Sequence, residues 1–151
     1  MAFSVPAALQ ASDSAIVVDN SVMMRWLFND GSPSGQSRAK RVLESVSKND
    51  QQILVPYVWV YESAFVVNFY TQKGNISRKD GAQHLKALFN LSTIVRGEEL
   101  PDELYQFSSE FGLSSYDAAY ILLARQVQCQ IATLDKKIIT VSKKLEIPVF
   151  E

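Results

Sequence analysis

Short apolar runs alternate with longer stretches of helical periodicity along the chain. Ile16-Val17-Val18 is β-branched and bounded by polar residues, as a buried parallel strand should be. Four further runs predict strands over 53–55, 93–95, 130–134 and 147–150. Seven stretches between them predict helices, over 21–28, 34–47, 58–70, 77–90, 98–111, 114–126 and 136–145. This alternation predicts an α/β fold, a three-layer α/β/α sandwich with a central parallel sheet of four to five strands.

One folded unit accounts for the length and composition. The chain has 151 residues, 47% of them hydrophobic, which suits a single domain with a full core. We expect the domain to span 16–151 and residues 1–15 to form a flexible N-terminal extension. No uncharged apolar stretch reaches the roughly 18 to 20 residues that a membrane span needs, and the extension lacks the features of a signal peptide. We therefore expect a cytoplasmic protein without membrane contact.

Four acidic residues lie where an ordinary globular protein has little reason to put them. Asp19 and Asp135 each end an apolar run, Asp117 opens one, and Glu62 lies inside another. Glu62 is the most informative, because its helical neighbours three and four residues away are all apolar or aromatic. A charge on such a face costs on the order of several kcal/mol unless something pairs with it, and no local partner is present.

The predicted topology can gather these acids in one place. Open α/β sheets bind ligands at the carboxyl ends of their strands, where Asp19 and Asp135 lie. Asp117 is in the first turn of its helix and Glu62 about one turn inside its own, so both can face the same crevice. Carboxylates that converge in this way repel one another, and a divalent cation is the simplest means of neutralising them.

The rest of the composition limits which metal this is. Cys129 is the only cysteine and His84 the only histidine, which excludes a zinc site of the usual nitrogen and sulfur type. Only oxygen ligands remain, and these favour Mg²⁺ or Mn²⁺.

Each aspartate also has a plain structural explanation. Asp19 and Asp135 each precede a predicted helix and could cap it. Asp117 stands three residues after Ser114, as in a capping box with Asp in place of Glu. These alternatives stay open for each residue alone, whereas coincidence across all four acids is the weaker hypothesis.

Two hydroxyl residues stand two positions away from an acid. Ser21 follows Asp19, and Thr133 precedes Asp135 on the same side of its strand. Either hydroxyl could orient a carboxylate or a metal-bound water. Helix capping and strand propensity explain the two residues about as well.

The net charge of −1 does not by itself indicate nucleic-acid binding. Basic residues nevertheless cluster at 38–41, 78–79, 136–137 and 143–144. Each cluster alone most often forms a solvated helix face. Lys136 and Lys137 carry more weight because they directly follow Asp135.

Four segments of the chain stand out together: Val17-Val18-Asp19-Asn20-Ser21-Val22 followed by Trp26-Leu27, Val55-Pro56 and then Glu62, Leu113-Ser114-Ser115-Tyr116-Asp117-Ala118-Ala119-Tyr120, and Ala132-Thr133-Leu134-Asp135. In this order and at this spacing they resemble the PIN-domain ribonucleases, and in particular the VapC-type toxins of type II toxin–antitoxin systems. The resemblance runs from about residue 16 to residue 150. It implies a PIN-like fold whose acidic site is Asp19, Glu62, Asp117 and Asp135, with Ser21 and Thr133 in support.

The activity that the resemblance implies is Mg²⁺- or Mn²⁺-dependent endoribonuclease cleavage, leaving 5′-phosphate and 3′-hydroxyl ends. Asp19, Asp117 and Asp135 would hold metal directly or through water. Glu62 would be a further ligand or would position the attacking water. The pair 136–137 would contact the RNA backbone, a salt-sensitive and sequence-independent contribution.

The resemblance also implies partners, namely a second copy of the chain and a cognate antitoxin that quenches the site with a basic side chain. Segment 21–28 fits a partner surface, because six of its eight residues are apolar and surround the predicted helix. Unless neighbouring helices cover them, we expect some members of this set to be exposed: Met23, Met24, Trp26, Leu27 and Phe28.

Two hypotheses from other classes compete with a ribonuclease. A non-catalytic PIN-like module would bind RNA or a protein, and the intact acids argue against it. Phosphoryl chemistry on a small molecule, as in receiver or phosphatase domains, would want a second acid close to Asp19, and Asp19-Asn20-Ser21 lacks one.

Overall fold

The structure, a computed structural model, describes residues 14–151. Four strands form its sheet: β1 (Ala15–Val18), β2 (Gln52–Pro56), β3 (Ser92–Val95) and β4 (Gln130–Ala132). The helices of this range are α1 (Asn20–Leu27), α2 (Pro33–Asn49), α3 (Val58–Gln72), α4 (Arg78–Leu91), α5 (Pro101–Phe111), α6 (Ser115–Val127) and α7 (Lys136–Lys144). The expected flexible extension over 1–15 lies outside the described residues, except for Ser14 and Ala15.

The sheet is parallel throughout, with strand order β3-β2-β1-β4. All four residues of β1 are fully buried, which requires cover on both faces of the sheet. Helices α1 to α4 contact one another in sequence or space, and so do α5 to α7, as right-handed crossovers on opposite faces would give. The predicted three-layer α/β/α sandwich is confirmed. None of the helices within 14–151 is long and apolar enough to cross a membrane.

The last predicted strand, over 147–150, is reduced to one parallel bridge between Ile131 and Val149. The N–H of Ile131 donates to the Pro148 carbonyl at 2.9 Å, and the N–H of Phe150 donates to the Ile131 carbonyl at 2.9 Å. Pro148 has no N–H of its own with which to extend the ladder. The sheet therefore has the lower number of strands in the predicted range.

Proline and serine fix two helix starts that the periodicity misplaced. Helix α2 begins at Pro33, where Ser32 accepts a hydrogen bond from the N–H of Gly35 at 3.1 Å. Helix α5 begins at Pro101 rather than at residue 98, and the Glu103 carboxylate accepts a bond from the N–H of Leu100 at 3.0 Å. These differences move helix ends without changing the order of elements.

The expected exposed surface on α1 is wrong for most of its residues. Met23 and Met24 are 0% and 3% exposed, and Phe28 is buried and stacks on Tyr70 of α3 with ring centroids 3.7 Å apart. Trp26 is half-buried and donates its Nε1 hydrogen to the Ala39 carbonyl of α2 at 2.7 Å. Leu27 is likewise half-buried against the core. Helices α2 and α3 thus cover α1, which was the alternative left open.

Exposed apolar surface lies instead along α3. Tyr57, Tyr61, Phe65 and Phe69 follow one another every four residues and so form one row, here called the α3 aromatic row. Their exposed fractions are 58%, 68%, 73% and 48%. These four side chains therefore face outward where the sequence suggested a packed surface, whereas Trp59 of the same helix is buried.

Candidate active site

All four predicted acids line one cavity of about 900 Å³ beyond the carboxyl ends of the strands. They come from four separate places: Asp19 from the β1–α1 junction, Glu62 from α3, Asp117 from the first turn of α6, and Asp135 from the β4–α7 junction. We call this the acidic cavity. The topology thus gathers side chains that are up to 116 residues apart in the chain.

Asp19 occupies the N-cap position of α1, yet its side chain caps nothing. Its Oδ2 instead accepts hydrogen bonds from Ser21 Oγ at 2.7 Å and from Thr133 Oγ1 at 2.8 Å. Burial raises the pKa of this carboxyl, the two hydroxyl donors lower it, and the charges of Asp117 and Asp135 raise it again, with a net upward shift. The capping explanation therefore fails for Asp19.

The same two hydroxyls also accept hydrogen bonds from the backbone of the β4–α7 junction. Ser21 Oγ accepts the N–H of Leu134 at 3.0 Å, and Thr133 Oγ1 accepts the N–H of Asp135 at 3.0 Å. Thr133 is fully buried. These two bonds divert the backbone after Ala132 from the sheet, which is why β4 ends two residues earlier than predicted.

Asp135 does cap its helix. Its Oδ1 accepts the N–H of Lys137 at 2.7 Å and the N–H of Ile138 at 3.2 Å at the start of α7. Within residues 14–151 no donor reaches its Oδ2. Capping and a role in the cavity are therefore compatible, because they use different oxygens of one carboxylate.

Asp117 is half-buried in the first turn of α6, where Ser114 Oγ accepts its backbone N–H at 3.0 Å. Partial burial is the largest influence on its pKa and raises it, and the charge of Asp135 raises it further. A hydrogen bond with Ser114 and the charge of Lys137 act in the opposite direction. The serine caps the helix, and the Asp117 side chain is left facing the cavity.

Glu62 has a partner that its sequence neighbourhood does not contain. The hydroxyl of Tyr120, a fully buried residue on α6, donates to Glu62 Oε1 at 2.7 Å. Burial raises the pKa of Glu62, the Tyr120 bond lowers it, and the charges of Asp19 and Asp117 raise it. Burial and the charges of Asp19 and Glu62 raise the pKa of Tyr120 far above its ordinary value, so its hydroxyl stays a donor.

The reason given for Glu62 from the sequence was wrong in part. Of its apolar neighbours, Trp59 is buried, but Phe65 is 73% exposed and Val58 and Val66 are only half-buried. Glu62 is itself half-buried, at the boundary between the cavity and the α3 aromatic row. Tyr120 was missed as a functional residue, although its spacing of three from Asp117 puts both on one face of a helix.

Basic side chains contribute unequally to the cavity. Lys136 lines it, whereas Lys137 does not and affects it through the charge that lowers the pKa of Asp117. Arg38 and Arg41 of α2 line it as well. Arg25 is engaged with Asp30 and with the Tyr70 hydroxyl.

The donor set suits a hard divalent cation. Carboxylate and hydroxyl oxygens dominate around the acids, and three of the four carboxyls have raised pKa values partly because they repel one another. In the described part of the chain, no three acidic, histidine or cysteine side chains already lie close enough together to hold a metal ion. Binding would therefore require the carboxylates to draw together around the ion.

Solved structures with the same fold exist. The chain is similar to PAE2754 from Pyrobaculum aerophilum, with a TM-score of 0.67 and 17% identity over 93% of this chain and 85% of that one. It is also similar to FitAcB from Neisseria gonorrhoeae, with a TM-score of 0.58 and 15% identity over 90% of this chain and 96% of that one. At such identities the likeness concerns the fold alone. No curated protein matches the sequence.

The family, by contrast, follows from the sequence itself. The model that describes the PIN domain matches residues 16–144, which include every acid of the cavity. PIN domains are generally nucleases that use divalent metal ions. The chain belongs to the PIN-domain family.

Proposed function

We propose that this protein is a metal-dependent endoribonuclease, the toxin of a toxin–antitoxin pair, which hydrolyses RNA phosphodiester bonds in the cytoplasm. One observation carries the proposal: four carboxyl groups from four separate segments line a single cavity at the carboxyl edge of the sheet. Clustered carboxylates repel one another, which gives a purely structural protein no advantage. A phosphodiester nuclease uses such a cluster to bind divalent cations.

In this proposal Asp19, Asp117 and Asp135 would hold Mg²⁺ or Mn²⁺. When bound, the ion would supply charge neutralisation at the phosphoryl oxygens and would lower the pKa of water. Glu62 is a further ligand or positions the water that attacks the phosphorus. The Oδ2 atom of Asp135 is left for metal binding, because its Oδ1 caps α7.

Neighbouring side chains hold these acids in place. Ser21 and Thr133 both donate to Asp19 Oδ2, which orients its other oxygen. Tyr120 does the same for Glu62. Lys136, at the cavity edge, and Lys137, close to Asp117, attract the RNA backbone.

The partner surface that we propose is the α3 aromatic row. Four aromatic side chains, each about half exposed or more, form a continuous apolar strip on one helix. Two copies of the chain would bury this strip against each other as a homodimer. A segment of the antitoxin would lie in a groove beside the acidic cavity and neutralise the cavity with a basic side chain, as the resemblance to VapC-type toxins implies.

Cleavage of RNA by the purified protein tests the enzymatic part. We expect Mg²⁺- or Mn²⁺-dependent cleavage that EDTA abolishes and that Asp117→Asn reduces about 100-fold or more. The matched control is Asp102→Asn, an exposed aspartate in the first turn of α5 that does not line the cavity. Full activity of folded Asp117→Asn protein would refute the proposal.

Light scattering of the purified protein tests the dimer. Phe65→Ser, in the middle of the row, should shift the protein from dimer to monomer. Phe89→Ser is the control, because Phe89 is 56% exposed on α4, outside the row. Equal dissociation by both variants would argue against this surface.

A further inference from the structure

The acidic cavity has a second side on which no acid lies. Ser34, Ser37, Arg38 and Arg41 of α2 all line it. Their spacing of three, four and seven residues places them on one face of the helix. We call this set the α2 arginine face. The sequence contains four basic clusters, and this is one of two with side chains in the cavity lining, the other being the cluster that contains Lys136.

Packing fixes α2 beside the acids. Gly35, in its first turn, lies so close to the β4–α7 junction that an added Cβ would be 3.5 Å from Leu134 Cδ1. Leu134 directly precedes Asp135. Farther along α2, the Ala39 carbonyl accepts the Trp26 Nε1 hydrogen, which binds α2 to α1. The α2 arginine face therefore belongs to a helix that contacts both the β4–α7 junction and α1.

Both arginines are available to a ligand. Arg41 donates from Nη1 to Ser37 Oγ at 3.0 Å, a neutral partner on its own helix. Neither arginine forms an ion pair with any residue of 14–151. Arg38 acts on Glu151 only through its charge, and Glu151 bonds directly to Lys143. Two positive charges thus face the acidic cavity, and neither is paired with a carboxylate of residues 14–151.

Lys40, between them in sequence, behaves differently. It is exposed, it is absent from the cavity lining, and its ammonium lies 3.9 Å from the Glu44 carboxylate. The positive charge on this helix is therefore divided, with the arginines on the cavity side and the lysine in solvent. Arginine is the residue type whose planar fork of donors matches a phosphate.

We propose that the α2 arginine face is a phosphate-binding subsite, which holds an RNA backbone phosphate next to the bond being cut. The inference rests on the proposed nuclease function and deepens it. The acids would act on the reacting phosphate through the cations that they hold. Arg38 and Arg41 bind a neighbouring phosphate directly, and the Ser34 and Ser37 hydroxyls assist them. The substrate is accordingly a strand with at least one phosphate beyond the cleaved bond.

The test compares two substrates in the same variants. Bis(p-nitrophenyl) phosphate has a cleavable diester but no neighbouring phosphate, whereas a single-stranded oligoribonucleotide has both. We expect Arg38→Ala/Arg41→Ala to lower the ratio of RNA cleavage to small-diester hydrolysis by about 10- to 100-fold, as removal of charged hydrogen bonds would. Lys40→Ala should leave that ratio at the wild-type value. An equal decrease on both substrates, or the same decrease in Lys40→Ala, would overturn the subsite.

Binding gives a second readout that needs no cleavage. Fluorescence anisotropy of the labelled oligonucleotide should show weaker binding by the double variant than by Lys40→Ala. The slope of log affinity against log salt should fall by about 0.7 for each phosphate that the variant no longer binds. If the wild type cleaves neither substrate, the nuclease proposal fails, while this assay still decides the subsite. Identical affinities and slopes would refute it, and the single Arg41→Ala variant, at an exposed position, guards against misfolding of the double variant.

Discussion

The junctions that follow the neighbouring strands β1 and β4, namely β1–α1 and β4–α7, share one local design but use it differently. In each, a buried strand leads to an aspartate that stands at the N-cap of the next helix. Asp135 accepts two backbone N–H groups and caps α7, whereas Asp19 accepts only side-chain hydroxyls and leaves the N-terminus of α1 without a side-chain cap. An aspartate in the same local context thus caps a helix after β4, whereas after β1 its side chain faces the cavity and caps nothing.

Activity should separate the two junctions most strongly. Asp19→Asn removes a carboxylate that has no capping duty, and we expect RNA cleavage to fall about 100-fold or more. Asp135→Ser keeps a capping side chain but removes the carboxylate, so activity should fall as well without a decrease in stability. Rates with saturating Mg²⁺ and urea unfolding of the same samples measure both. An active Asp135→Ser protein would confine Asp135 to its cap and break the comparison.

Metal should stabilise the fold through both junctions. At a hundredfold excess over the dissociation constant, a ligand that binds only the native state stabilises by about 2 to 3 kcal/mol. We expect Mg²⁺ to raise the melting temperature of the wild type, and Asp19→Asn or Asp135→Asn to reduce the shift. The exposed Asp102→Asn variant should retain it in full. Equal melting temperatures with EDTA and with Mg²⁺ levels that support cleavage would rule out direct ligation.

Tyr120→Phe probes a contact that neither junction contains. The substitution keeps the buried ring and removes only the hydroxyl that donates to Glu62. We expect about a tenfold decrease in activity, in the range that removal of an orienting partner gives. In a Glu62→Gln background the same change should cost much less, because the two residues act as a unit. Additive decreases would show that Tyr120 works independently of Glu62.

In metal-free protein, substitution of Asp19 and substitution of Asp135 should change the free energy of unfolding in opposite directions. The pKa of Asp19 is raised, so the native state binds more protons than the unfolded chain between the ordinary value of 3.8 and the raised one. The contribution of Asp19 to stability is therefore full below pH 3.8 and falls as the pH rises through the raised pKa. At neutral pH, Asp19→Asn should therefore raise the free energy of unfolding, whereas Asp135→Ala should lower it by about 1 kcal/mol because its cap is removed.

Urea denaturation in EDTA at pH 5 and pH 7.5 measures this smallest effect. The gain from Asp19→Asn should shrink at the lower pH, where protonation already relieves part of the cost of the buried charge. The destabilisation by Asp135→Ala reflects hydrogen bonds to backbone N–H groups. Destabilisation of the same size in both variants would mean that Asp19 also stabilises the native state.

The order of elements and the acidic set could be predicted because they depend on local patterns. Short β-branched runs and helical periodicity predicted four strands and seven helices in the order that the structure has, and the family segments singled out four acids that line one cavity. Which aspartate caps a helix could not be predicted. Asp19 and Asp135 look alike locally, and what separates them is Thr133, a residue 114 positions from Asp19.

Long-range contacts also account for the two errors of burial. The apolar residues of α1 become buried because Tyr70 and Ala39, both distant in sequence, pack against Phe28 and Trp26. The four side chains of the α3 aromatic row remain exposed because no described element covers them. Hydrophobic patterning identifies both helices as rich in apolar residues, but only the tertiary arrangement decides which side meets solvent.

The single bridge at Val149 has a consequence for how the chain behaves in a crowded solution. An uncovered edge strand offers unpaired N–H and C=O groups to which another chain can add, a common route to aggregation. At the β4 edge, the outward N–H and C=O of Ile131 are both already bonded, to Pro148 and Phe150. Two hydrogen bonds from a segment too short to be a strand thus occupy the backbone groups of Ile131 to which another chain could add.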